Sequence, residues 1–146
     1  MAPVSLFSLT PLGHERAGSR LLVGGSAIGI VRGTTIEAQY SCSPGFIIIA
    51  SWDIPYEEEL NISLRAKGSF KLLDEIWLGL PYTSGVFDRV QVCASNALQF
   101  SFFGEDRWRL DVLERPRTIW LKNYFGAMRY ARRLPGKHFL QLRRVT

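Results

Sequence analysis

Four carboxylates lie close together in the segment SWDIPYEEEL, residues 51–60, and such residues act as general acids and bases or bind hard cations. They are Asp53, Glu57, Glu58 and Glu59. A strand that begins near Glu58 would place this residue on the same face as Leu60, and the two neighbouring glutamates on the other face. Asp53 and Glu58 are therefore the pair that we expect to converge across the turn, and they are the candidate catalytic residues.

The same segment also has the composition of a polar turn. Asp53 can close an Asx turn, Pro55 restricts φ, and the glutamates can solvate the end of a hairpin. The apolar run FIIIA, residues 46–50, precedes it and predicts a buried strand. The segment has no glycine, which a calcium loop requires. We interpret it as a polar turn that joins two core strands.

Other catalytic and metal-binding patterns are absent from the sequence. The two histidines, His14 and His138, do not occur in zinc-binding motifs, and there is no G-x-S-x-G elbow and no P-loop. The glycine-rich run LLVGGSAIGIVRG, residues 21–33, lacks the middle glycine of a dinucleotide loop and is not followed by a helix pattern, so it predicts a tight hairpin. We predict no metal site and no cofactor.

The two cysteines, Cys42 and Cys93, both lie in strand-like runs. The N-terminal residues lack the basic region and the long apolar run of a signal peptide, and no apolar stretch approaches the roughly 20 residues of a membrane span. We therefore expect no transmembrane segment, a cytoplasmic location, and two reduced, buried thiols rather than a disulfide.

Positive charge is concentrated at the C-terminal end of the chain. Residues 1–114 contain 9 basic and 13 acidic side chains, whereas residues 115–146 contain 9 basic and no acidic side chains. The candidate anion-binding residues there are Arg129, Arg132, Arg133 and Lys137. Basic residues interspersed with aromatic ones can follow a phosphate backbone, so nucleic-acid binding is an alternative that is not favoured. The other interpretation is internal, with these arginines turned toward acidic loops.

Alternation of apolar and polar residues dominates to residue 113 and predicts β-strands. The runs TIEAQYSC (35–42), ELNISLR (59–65), ALQFSFF (97–103) and RWRLDVL (107–113) each place their large apolar residues on one face. Short turn-like links separate the strand-like runs, at residues 43–45, 66–69, 95–96 and 104–106. Because such links are too short for parallel crossovers, they predict a mainly antiparallel meander of about eight to ten strands.

The pattern changes after Pro116. The run TIWLKNYFGAMRYARRL, residues 118–134, has apolar residues at helical spacing, and Leu134-Pro135-Gly136 is a typical helix stop. We therefore predict a basic amphipathic helix over residues 115–135 and a closing strand over residues 136–146, after a β-meander over residues 1–114.

These observations predict a single all-β domain, a barrel or a sandwich, with one C-terminal helix. The missing catalytic patterns favour a non-catalytic module that binds a small-molecule ligand or another protein. One alternative is a hydrolase-type enzyme that uses Asp53 and Glu58. The other is binding of nucleic acid or another anion through the basic C-terminal residues.

Overall fold

All regular structure in the described part of the chain is β-strand, and every strand pair is antiparallel. The computed structural model describes residues 1–13, 18–53, 58–119, 126–131 and 136–145. The all-β prediction is therefore confirmed. The thirteen strands in these ranges exceed the predicted eight to ten, and two of the additional strands have only two and three residues.

A six-stranded sheet forms the centre of the fold. Its strands, in spatial order, are β1 (Ala2–Pro3), β5 (Thr35–Ser41), β6 (Gly45–Ser51), β7 (Glu59–Ala66), β8 (Leu72–Gly79) and β12 (Met128–Tyr130). The four strands from β5 to β8 form a meander, as the short links predicted. The first and last strands of the sheet are added from distant parts of the sequence.

Two smaller sheets complete the structure. A four-stranded sheet has the order β13 (Gly136–Val145), β11 (Arg107–Ile119), β10 (Ala97–Ser101) and β9 (Asp88–Ala94). A three-stranded sheet contains β2 (Phe7–Pro11), β3 (Ser19–Val23) and β4 (Ser26–Val31). The glycine-rich run forms the predicted hairpin, because Gly24 and Gly25 link β3 to β4 with positive φ angles of 56° and 84°.

The six-stranded sheet buries apolar residues on both faces, which explains the continuous apolar run in β6. Ile47 and Ile49 belong to the main core, which the six-stranded sheet shares with the four-stranded sheet. Ile48 belongs to a second cluster with Phe7 and Leu21 of the three-stranded sheet. A strand that is covered on both faces does not alternate between apolar and polar residues. The sheets therefore pack in layers, with β6 in the middle.

The predicted helix over residues 115–135 is wrong wherever the structure describes it. Strand β11 continues through Arg115 and Pro116 to Ile119, and residues 128–130 form β12. Pro116 lies in the irregular stretch between Val112 and Arg117, where the register of β11 against β13 shifts. A proline without an N–H is tolerated at such a bulge. Residues 120–125 and 132–135 lie outside the described ranges. Strand β13 occupies Gly136–Val145, within the region that was predicted to form the closing strand.

The two cysteines are both free, but only one is buried. Cys42 follows β5 in the main core, whereas Cys93 is exposed on β9, so the prediction of two buried thiols is wrong for Cys93. Strand β9 is an edge strand whose residues are all exposed, and this explains the difference. No helix in the described ranges has the length and apolar character needed to cross a membrane.

Candidate functional site

The predicted carboxylate pair lies where the chain turns from β6 to β7. Glu58 is buried, and its Oε1 accepts hydrogen bonds from the backbone N–H groups of Trp52 at 3.0 Å and Asp53 at 3.2 Å. Asp53 has a positive φ of 55°, a conformation that aspartate tolerates better than most residues. The side chain of Glu58 therefore holds the backbone of the turn. Tyr56 and Glu57 lie outside the described residues.

Asp53 and Glu58 also line one small cavity of about 70 Å³, together with Glu37 and Ser51. The Ser51 hydroxyl donates a hydrogen bond of 2.5 Å to Oε1 of Glu37. At roughly 30 Å³ per water molecule, this cavity has room for about two waters and not for a small-molecule ligand. Among the residues that the structure describes, no three His, Cys, Asp or Glu side chains form a group that could hold a metal ion.

The basic C-terminal residues that the structure describes lie in different parts of the fold. Arg143 approaches Asp111 at 3.9 Å and Arg144 bonds Asp106, so both lie beside acidic groups of the chain. Lys137 is exposed on β13, opposite Thr118 of β11. Arg132 and Arg133 lie outside the described residues. These two ion pairs do not test the internal interpretation, because it concerned the arginines of the predicted helix.

Arg129 has a different environment, because it lies on β12 at the edge of the six-stranded sheet. Its guanidinium lies over the ring of Trp77, 5.7 Å from the centroid, and 3.5 Å from the Glu59 carboxylate. Arg32 lies over the same ring at 4.5 Å, and its Nε donates to Glu59 Oε1 at 2.8 Å. Two guanidiniums thus share one indole ring and one carboxylate. We call the adjoining cavity of about 280 Å³ the arginine recess; it is lined by Arg32, Glu58, Glu59, Gly79, Leu80, Pro81, Tyr82 and Arg129.

Arg32 reaches the recess because the link between β4 and β5 is pressed against the end of β6. A Cβ on Gly33 would lie 2.8 Å from the carbonyl oxygen of Ser51, and its φ of 116° is one that glycine adopts readily. The N–H of Thr34 donates to the same carbonyl at 2.7 Å. The chain passes from the three-stranded to the six-stranded sheet at this close approach. We infer that Gly33 permits the approach, because a larger residue would contact the backbone of Ser51.

Glu59 and Arg129 are positioned by the register of the sheet. Glu59 of β7 pairs with Gly79 of β8, and a Cβ on Gly79 would lie 3.2 Å from the Glu59 side chain. Arg129 of β12 pairs with Trp77 of β8. Because directly paired residues share a face, Arg129 lies beside the indole without any special loop.

Polar side chains of β7 and β8 hold the Trp77 indole in place. Glu75 Oε1 accepts hydrogen bonds from the Trp77 indole N–H at 3.2 Å and from the Asn61 amide. Further along β7, Ser63 and Arg65 occupy the same face and are almost fully buried. Burial lowers the pKa of the Arg65 guanidinium, and the nearby Glu75 carboxylate partly opposes this shift. The hydrogen bond from the indole N–H to Glu75 fixes the orientation of the Trp77 ring under the two arginines.

Tyr82 is an exposed residue at the rim of the recess. It is 85% exposed and has a positive φ of 57°, which is uncommon for an aromatic residue. Such backbone outliers cluster at ligand-binding sites, because they persist only where the surroundings hold them. An exposed aromatic side chain next to two arginines has the composition that is enriched at the energetic centres of interfaces.

The described lining of the recess contains two guanidiniums, Arg32 and Arg129, and two carboxylates, Glu58 and Glu59. Each guanidinium carries five N–H donors, and Arg32 uses two of them on Glu59, at 2.8 and 3.3 Å. Arg129 is 62% exposed and makes a longer contact with Glu59. The remaining donors can form charge-assisted hydrogen bonds to a phosphate or a carboxylate, which the planar guanidinium group matches in shape.

Arg129 was a candidate from the sequence, whereas Arg32, Trp77 and Tyr82 were not predicted. Trp77 could have been noticed in the sequence, because it is an aromatic residue between Glu75 and Gly79 on the polar side of an alternating strand. Arg32 and Tyr82 lie in links between strands and had no distinctive spacing.

No protein-family model, no curated protein and no solved structure matches the chain.

Proposed function

We propose that the chain is a non-catalytic binding module that recognises an oxyanion, a phosphate or a carboxylate, on its ligand or partner protein. The observation that carries this proposal is the convergence of Arg32 and Arg129 over Trp77 at the arginine recess. Surface cation–π contacts contribute only about 0.5–1 kcal/mol each. The arrangement therefore adds little stability, which favours a role in recognition.

The ligand has a flat or apolar part beside its anionic group. Tyr82 and Pro81 form an exposed wall next to the two guanidiniums, and an aromatic ring can stack on both kinds of side chain. The carboxylate of Glu58 accepts hydrogen bonds from the backbone N–H groups of Trp52 and Asp53. This structural role favours a binding module over the hydrolase alternative. Arg32 and Arg129 share one indole ring and line one cavity, which favours the recess over nucleic-acid binding along the C-terminal strand. The cytoplasmic location stays a prediction.

Titration with small aromatic anions tests this proposal. Phenyl phosphate and benzoate are added to ¹⁵N-labelled protein, and the signals of the Trp77 indole and the Gly79 amide are followed by NMR. We expect a saturable shift with at least one anion, and none with phenethylammonium, which has a similar ring and a positive charge. The stronger of the two anions identifies the oxyanion.

The double variant Arg32→Ala/Arg129→Ala should weaken this binding by roughly tenfold or more, because hydrogen bonds to charged groups contribute about 1.5–3 kcal/mol. The matched control is Arg107→Ala/Arg117→Ala, which removes two exposed arginines outside the recess. Equal weakening in both double variants, or no saturable shift with either anion, would overturn the proposal.

A further inference from the structure

A second and more apolar cavity lies between the edges of the two large sheets. It measures about 410 Å³, and its lining includes Phe103, Trp108, Met128, Leu142 and Arg144. This volume falls within the range of about 300–1,000 Å³ that is typical of small-molecule sites. Among the residues that the structure describes, the cavity shares only Leu80 with the lining of the arginine recess.

The apolar wall of this cavity is part of the main core. Trp108, Met128 and Leu142 are all less than 10% exposed and belong to the core cluster that joins the two sheets. The indole N–H of Trp108 donates to the carbonyl oxygen of Phe102 at 3.4 Å. Its hydrogen-bonding group is therefore occupied within the chain, and its ring is available for apolar contact with a guest.

The turn between β10 and β11 holds an aromatic side chain at the cavity. Phe103 has a positive φ of 61°, and its ring packs against Phe102 with centroids 4.4 Å apart. Two backbone hydrogen bonds between residues 102–103 and Asp106 close this turn. A left-handed conformation costs an ordinary residue roughly 1–2 kcal/mol, so the fold maintains this orientation against strain.

The described part of the cavity rim carries a net positive charge. Among the lining residues that the structure describes, Asp106 is acidic, and Arg143 and Arg144 are basic. Arg144 bonds Asp106 and stays 64% exposed, and it lies opposite Trp108 in the register of β11 and β13. A guest whose apolar part contacts Trp108 would thus have its other end near this guanidinium.

We propose that this cavity binds a small amphipathic anion, an apolar chain or ring system with one carboxylate group. The apolar part packs against Trp108, Met128 and Leu142, and the carboxylate pairs with Arg144 at the rim. Complementary charge selects the anion, while burial of apolar surface supplies most of the affinity, at about 25 cal/mol per Å². This second site does not depend on the arginine recess.

The methionine residues provide a specific probe. The chain has two, Met1 and Met128, and only Met128 lines this cavity. With ¹³C-methyl-labelled methionine, addition of octanoate should shift the Met128 signal saturably and leave Met1 unchanged. Octanol, which has the same chain without the charge, should bind more weakly, and octylammonium more weakly still. Absence of a saturable Met128 shift with any of the three compounds would overturn the site.

Two variants separate the apolar and the charged contributions. Ala127→Phe fills the cavity and should abolish the Met128 shift, and an amide NMR spectrum that is unchanged away from the cavity would verify that the variant is folded. Arg144→Gln should reduce the preference for octanoate over octanol while octanol binding persists. The matched control, Arg117→Gln, removes an exposed arginine outside the cavity. An unchanged preference in Arg144→Gln would overturn the assignment of an anionic ligand.

Discussion

The carboxylate of Asp74 in β8 lies 2.9 Å from the imidazole Nδ1 of His138 in β13, and both side chains are fully buried. The other oxygen of Asp74 accepts the backbone N–H groups of Phe139 at 2.8 Å and Leu140 at 2.9 Å. A single carboxylate therefore connects the edge region of the six-stranded sheet to a strand of the four-stranded sheet. We infer that this contact fixes the relative position of the two layers.

Replacement of Asp74 should test its structural role. Asp74→Ala leaves His138 and the backbone N–H groups of Phe139 and Leu140 without their acceptor, and loss of one member of such a buried pair costs roughly 3–5 kcal/mol. We expect a decrease of this size in the free energy of unfolding, measured with urea. Asp88→Ala, a control at an exposed aspartate, should change it by less than about 0.5 kcal/mol. Similar values for the two variants would contradict the role.

Glu58 offers a second test, because its two hydrogen bonds stabilise the turn. Glu58→Ala leaves the buried N–H of Trp52 without its acceptor and should lower the free energy of unfolding by about 1–3 kcal/mol. Glu58→Gln keeps an oxygen acceptor and should retain part of this stability. Glu105→Ala is the control, since this glutamate is 87% exposed. A loss confined to ligand binding, with stability unchanged, would contradict the structural role.

The alternating strands could be predicted because a period of two determines which side chains face the core. Leu60, Ile62 and Leu64 were assigned to one face of β7, and all three are fully buried. The bulge between Ile36 and Ala38 was not predictable, since it depends on the pairing of β5 with β6. It places Ile36 against the three-stranded sheet rather than in the main core.

The C-terminal part could not be predicted from local spacing. Apolar residues at helical intervals favoured a helix, but β11 pairs with β13 through contacts such as Arg117 with His138. Such long-range pairing overrides local propensity. The same limit applies to the site, because Arg32 and Trp77 are brought together only by the packing of the link between β4 and β5 against the six-stranded sheet.

The two cysteines should differ in their reactivity with iodoacetamide. Burial raises the pKa of the Cys42 thiol, and the thiolate is the form that reacts. Cys93 is exposed on β9, so we expect it to be alkylated first in the folded protein. Peptide mapping by mass spectrometry identifies the modified residue, and Cys93→Ser should abolish the fast phase. Fast alkylation of Cys42 in that variant would contradict the buried position.

The raised pKa of Cys42 also predicts how stability depends on pH. In the unfolded chain the thiol loses its proton near its ordinary pKa of 9.0, whereas burial raises this pKa in the folded protein, so the folded thiol keeps its proton to a higher pH. The folded state then binds more protons, so the free energy of unfolding decreases as the pH rises above about 9. The contribution is complete below that pH, and its slope cannot exceed about 1.4 kcal/mol per pH unit for one group. Cys42→Ala should reduce this slope in urea unfolding between pH 8.5 and 10, and an unchanged slope would exclude the thiol as its source.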